Sequence, residues 1–198
     1  MLKVSLPILV ILATTLGAVG QESSRAELFG GYSVGRIDIA TNFPQTQPQH
    51  ATVNGLTAAF TWYFNRWFGA QFDFSGNFAS PQASFIHPTL GTPVSDEIEN
   101  RLFTLFAGPV LRYPTERVTL SFRPRLGQFR LRQEAATAGL EAVDNDFAFA
   151  LGGALDVNVH PRIALRVAPD YIRSYLTPDA GQNNWRLSTG VVISVGRD

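Results

Sequence analysis

The chain has 198 residues, enough for one domain with a full core, and its lack of cysteine excludes disulfides, thiolate metal sites and a thiol nucleophile. Sixteen basic and sixteen acidic residues leave no net charge, so nothing electrostatic argues for nucleic acid as a partner. Lys3 is the only lysine, whereas a surface facing water normally mixes lysine with glutamate, so water is not the expected outer solvent.

In chain order, residues 1–20, MLKVSLPILVILATTLGAVG, read as a secretory signal peptide. Lys3 supplies the positive start, Val4 to Leu12 an apolar run short for a bilayer span, and Ala18-Val19-Gly20 a small-residue cleavage site. Residues 21–198 are then the exported domain. After residue 24 no long helical period appears. Eight extended segments are expected instead: Glu27–Ile37, Val53–Phe64, Phe68–Ala79, Arg101–Arg112, Val118–Phe129, Phe147–Val159, Ile163–Tyr175 and Trp185–Gly196. At 11 to 13 residues they exceed the usual strand and suit tilted membrane-spanning strands with their ends.

The third segment shows the pattern most cleanly. Phe68, Phe72, Phe74 and Phe78 fall on one side and Gln71, Asp73, Ser75 and Asn77 on the other, the period of a strand. The fifth, sixth, seventh and eighth segments alternate in the same way, with large apolar residues opposed by Gly, Ala, Ser, Thr, Asp, Asn and Arg. The fourth, RLFTLFAGPVLR, is apolar on both parities and its faces stay unassigned. Small and polar residues with a few charges suit a crowded barrel interior, so the four phenylalanines are expected to face lipid.

The connections alternate too. Asn65-Arg66-Trp67, Tyr113–Arg117 and His160-Pro161-Arg162 read as tight turns, while 38–52, 80–100, 130–146 and 176–184 read as longer, polar loops. Short turns at one end, long loops at the other and an even strand count describe an all-β, eight-stranded antiparallel up-and-down transmembrane β-barrel. Closure follows because hydrocarbon offers an open sheet edge no hydrogen-bond partner. Trp62, Phe64 and Trp67 at the first short turn, and Tyr171, Tyr175 and Trp185 around the last loop, are placed as two aromatic girdles.

Asp73, Arg123, Arg125, Asp156, Arg166, Asp170 and Arg186 all fall on the small, polar parity. If the third turn is centred on Pro161, Asp156 and Arg166 become cross-strand neighbours on the inner face. An eight-stranded barrel is just filled by its side chains, so these charges are expected to pair as a structural plug. A proton path or gated pore is the competing reading.

Other chemistry is thin. His50, His87 and His160 offer no metal-ligand geometry, and no HExxH, Walker A or GxSxG pattern is present, so neither metal nor cofactor is expected. Ser84, His87 and Glu97 share one loop without a diagnostic spacing for a lipid-modifying enzyme. Glu141, Asp144 and Asp146 read as a solvated acidic loop, with a divalent cation as the alternative. Arg130 and Arg132 continue the outward parity of the fifth segment beyond the apolar band, where lipid phosphate contact competes with plain strand-end charge.

The segments FGGYSVGR, FTWYFNRWFGAQFDFSG, LFAGPVLRY, FALGGALDVNVHPRIALRVAPDYIRSYL and NNWRLSTGVVISVG resemble the eight-stranded outer-membrane β-barrel family, the OmpA/OmpX-like, porin-family group. The resemblance implies an outer-membrane protein of a Gram-negative-type bacterium, a monomer with both ends periplasmic. It also implies outer-membrane lipid, the barrel-assembly machinery and an unidentified extracellular ligand as partners. The last segment is similar to the family's assembly signal at Ser188, Gly190, Ile193 and Val195, but ends Gly196-Arg197-Asp198 without the terminal aromatic. No peptidoglycan-binding domain is read after the barrel, so wall tethering is not expected. The expected function is non-enzymatic, structural or surface-interacting through four outward loops. A narrow solute pore, a lipid-modifying enzyme and a soluble lipocalin-like carrier are the alternatives.

Overall fold

The computed structural model describes residues 26–39, 49–79, 82–86, 93–135, 140–177 and 180–195. The signal-peptide segment and His87 lie outside them. Among the described residues nine strands form: β1 Ala26–Ile39, β2 Gln49–Tyr63, β3 Phe68–Ala79, β4 Gln82–Ile86, β5 Pro93–Pro114, β6 Val118–Ala135, β7 Leu140–His160, β8 Ile163–Thr177 and β9 Ala180–Val195. Every pairing is antiparallel between neighbours, β9 pairs with β1, and β3 pairs with β5, so eight strands close a ring from which β4 stands apart. The expected eight-stranded barrel is the observed fold.

The strands are longer than their apolar alternation. β6 and β7 stay in unbroken register from Val118↔Val157 to Ala135↔Leu140, so residues expected in a 130–146 loop belong to a hairpin. Glu141, Asp144 and Asp146 therefore stand on β7 rather than in a loop. Likewise β8 runs to Thr177 and β9 starts at Ala180, all of β4 and about the first third of β5 occupy the 80–100 segment, and β2 begins at Gln49. Beyond the hydrocarbon both faces of a hairpin meet water, so the ladder persists while the two-residue apolar period disappears.

The three tight turns lie at the end of the barrel that holds Ala26 and Val195. In the first, Asn65 Oδ1 accepts from the backbone N–H groups of Trp67 and Phe68, each at 2.8 Å, an Asx turn. In the second, the Thr115 hydroxyl donates to the Val118 carbonyl at 2.6 Å. The third corrects the expected three-residue turn. Pro161 and Arg162 form the turn between His160 and Ile163, and a bulge between Asn158 and His160 restores the register that sets Asp156 opposite Arg166.

Burial sorts the two parities. Leu56, Phe72, Phe74, Leu105, Leu120, Leu126, Leu165 and Ile193 all point outward and are half exposed or more, with Phe72 at 58%. Phe78 is exposed as well, and Phe68 is half-buried on the same face. An apolar exterior of this extent marks contact with something other than water. The structure also assigns the strand with ambiguous faces: Leu102, Thr104, Phe106, Val110 and Arg112 of β5 are buried, while Phe103, Leu105 and Leu111 point out. Part of the inner face is thus apolar. Ile37, Val53, Leu102, Phe106, Phe129, Leu131 and Ile172 pack in the half nearer the long connections. That cluster departs from the crowded interior of small and polar residues expected from sequence.

Phe72 sits near the middle of its strand, opposite Phe60 and Ala107. Phe72→Arg is expected to cost about 2–4 kcal/mol in urea-unfolding titrations in lipid vesicles, as a charge at the bilayer midplane does. Unchanged stability would mean that Phe72 does not meet hydrocarbon.

Candidate functional site

The small residues of the inner face leave room for side chains that reach across the lumen. Asp73, Arg123, Arg125, Asp156, Arg166, Asp170 and Arg186 are all buried, each at 5% exposure or less, and they gather into two clusters.

Asp170 of β8 is the hub of the first. Its Oδ1 meets Arg123 at 3.2 Å and Arg125 closer still, and its Oδ2 accepts from Arg186 Nη2 at 2.8 Å. Asp73 on β3 closes the ring, 2.8 Å from Arg186 and 3.1 Å from Arg125. Arg186 also donates to the Ser75 hydroxyl at 2.9 Å, which shares a 2.7 Å hydrogen bond with Thr104. Asn77 extends the chain of polar groups, donating to Ser75 at 3.2 Å and accepting from Ser33 at 2.5 Å.

The second cluster lies toward the tight turns. Arg166 grips Asp156 with two hydrogen bonds, Nε to Oδ1 at 2.6 Å and Nη2 to Oδ2 at 2.7 Å. The same Nη2 reaches Glu27 at 3.1 Å, and Glu27 takes a second arginine, Arg112, at 2.9 Å. The Arg112 guanidinium lies 3.5 Å from the centre of the Tyr63 ring, whose hydroxyl donates to Glu27 at 3.1 Å. Glu27, Tyr63 and Arg112 were missed by sequence reasoning. A signal for Glu27 existed: it shares a parity with Gly31, Ser33 and Gly35 and opposes Leu28, Tyr32 and Val34. Arg112 gave none, because its strand is apolar on both faces.

Among the described residues the lumen holds five buried arginines and four buried carboxylates, one positive charge in excess. Such groups are tolerated in a low-dielectric interior only when each is paired and hydrogen-bonded. Near Arg186, Ser75, Asn77, Leu102 and Phe129 line a cavity of about 10 Å³, room for about one water. Gly152 makes the first cluster possible, since a β-carbon there would collide with Asp170 Oδ1 and stand 3.1 Å from Arg125 Nη2.

The outward candidates fall at both rims. Trp62, Phe64 and Trp67 are exposed beside the first turn, and Trp67 lies 5.5 Å from Tyr113, an aromatic the sequence reading had not placed in this belt. At the other rim Tyr171 and Trp185 pair at 5.0 Å, and Tyr175 lies in β8. Arg130 and Arg132 point outward near the end of β6. Ser84 lies in β4 and Glu97 in β5, and the described residues contain no cluster of three metal-binding side chains.

Replacing Asp170 with asparagine leaves Arg123, Arg125 and Arg186 around a neutral group and is expected to destabilise by about 3–5 kcal/mol. Asp156→Asn should cost less, because Arg166 keeps Glu27. Urea midpoints of the two variants in vesicles check the order, and equal losses would deny Asp170 its central place. Gly152→Ala is expected to lower the midpoint by an overpacking cost of about 1–3 kcal/mol. Gly30→Ala, whose β-carbon would meet nothing within 4 Å, should leave it unchanged.

No protein-family model and no curated protein matches the chain. Solved structures do. Ail, the attachment invasion locus protein of Yersinia pestis, solved with the heparin analogue sucrose octasulfate, is similar over 85% of this chain and 97% of its own at 19% identity and a TM-score of 0.56. Neisserial surface protein A aligns over 86% and 97% at 11% identity and a TM-score of 0.62. The N-terminal β-barrel domain of Pseudomonas aeruginosa OprF aligns over 86% and 97% at 9% identity and a TM-score of 0.52. At these identities what is shared is the fold, that of small barrels of the outer membrane.

Proposed function

Starting from that shared fold, we propose that this chain is a non-enzymatic outer-membrane barrel whose interior is sealed and whose working surface is its outward rim. The observation that carries the reading is the inversion of the two faces. Large apolar side chains cover the outside, while nine charged residues are buried inside and interlocked. In a soluble carrier the apolar set would line the lumen and hold the ligand.

The seal has two parts. The charge clusters fill the middle and the tight-turn end, and the Phe106–Phe129–Leu131 group fills the half nearer the long connections. Both favour a structural plug over a narrow pore, and the carboxylates of the lumen are engaged by arginine rather than poised for acid–base work. The orientation we propose puts Ala26, Val195 and the three tight turns on the periplasmic side and the long hairpins outside, as short turns face the periplasm in such barrels. In this reading the protein works as a monomer, its assembly uses the barrel-assembly machinery, and an extracellular ligand meets the extended β4–β7 region.

The test is fractionation followed by electrophoresis with and without boiling, then single-channel recording in planar bilayers. A membrane-borne band that shifts on heating, with no discrete conductance steps, is expected. Recovery in the soluble periplasmic fraction would overturn the membrane reading, and steady unitary currents would replace the plug with a pore.

A further inference from the structure

On the outward face of β5 and β6, three arginines stand just beyond the apolar band. Arg101 lies directly opposite Arg132, and Arg130, two residues along the same face, lies opposite Phe103. Facing residues in a sheet are about 5 Å apart and diagonal ones about 7–8 Å, so the three guanidinium groups share one patch. Like charges set directly across from one another destabilise a sheet. Glu99 makes a 2.8 Å ion pair with Arg101, and its hydrogen bond from Arg101 holds the Glu99 carboxyl below the usual carboxylate range. Glu99 lies two residues beyond Arg101 along β5, so the arginines stand on the side of the patch nearer the apolar band.

The inner border is aromatic. Phe103 stacks with Phe74 at 6.5 Å and meets Phe78 edge-on at 6.2 Å. From Tyr113 to Phe103, β5 climbs about 33 Å along the strand, or roughly 25 Å along the barrel axis, the height of a lipid-facing band. Arg101 is the next outward residue after Phe103, so the patch begins where hydrocarbon gives way to headgroups. At the other rim the tight turns carry Arg66, Arg117 and Arg162 singly, one to a turn.

We propose that Arg101, Arg130 and Arg132 bind the anionic phosphate of an outer-leaflet lipid whose acyl chains lie on Phe74, Phe78 and Phe103. The inference rests on the membrane reading above. Guanidinium forks match phosphate oxygens two at a time. The adjoining phenylalanines favour a lipid-borne phosphate over a free one.

The test uses the folded full-length barrel in detergent micelles, titrated with diphosphoryl lipid A and with the same glycolipid stripped of its phosphates, bound lipid being read by native mass spectrometry. Wild type is expected to retain the phosphorylated form about tenfold more tightly than the stripped one, and Arg101→Gln/Arg130→Gln/Arg132→Gln to lose that preference, with Arg117→Gln unaffected. The heat-induced gel shift reports folding separately. Should the triple variant misfold, Arg130→Gln alone, with an expected loss of several-fold, and the triple Arg→Lys variant, expected to retain part of the preference, take its place. Equal binding of the two glycolipids, or the same preference in a folded glutamine variant, overturns the proposal while leaving the barrel reading intact. Displacement by millimolar inorganic phosphate overturns it too, because the site would then take a soluble anion.

Discussion

Hydrocarbon offers a peptide group no hydrogen-bond partner, and the architecture of this chain follows from that constraint. A spanning sheet can leave no edge unpaired, so β9 must find β1 and β3 must find β5. Once the ring is closed, its outer face must be apolar and its inner face must fill a narrow lumen. β4 and the outer halves of β5 to β7 escape the constraint because they extend past the apolar band, where a free edge meets water.

The lumen meets its own constraint largely with charge. Much of its volume is filled by long arginines laid across glycine, alanine and serine, with carboxylates as junctions. Asp170 joins three arginines and Glu27 joins two, so removing a junction weakens several arginines at once, Arg125, Arg186 and Arg166 then relying on Asp73 or Asp156. A well-packed apolar lumen could be as stable. What interlocked charges add is a fixed relative placement of strands, since Arg186 fits only when Asp73 and Asp170 face it together.

The barrel was legible in sequence because its spanning strands alternate sharply, and even the Asp156–Arg166 juxtaposition followed from where a turn would sit. Two things hid the rest. Where strands leave the membrane, both faces become polar and the period fades, so β6 reads as ending at Phe129 although it runs to Ala135. Where the lumen turns apolar, the two faces look alike, so Leu102, Phe106 and Val110 concealed the orientation of β5 and with it Arg112. The arginine patch was visible in part: Arg130 and Arg132 share a parity, but only the β5–β6 register brings Arg101 opposite them.

The junctions also join distant parts of the chain. Arg166 and Glu27 are 139 residues apart, Arg186 and Asp73 are 113 apart, and Arg112 and Glu27 are 85 apart. A chain with only its first hairpins in place holds Glu27 and Asp73 without their main arginine partners, and neither charge is at ease in a lumen still open to lipid. The electrostatic stabilisation therefore arrives late, when β8 and β9 bring Arg166 and Arg186 home. Contacts that join such distant residues close long loops, the kind of topology that folds slowly.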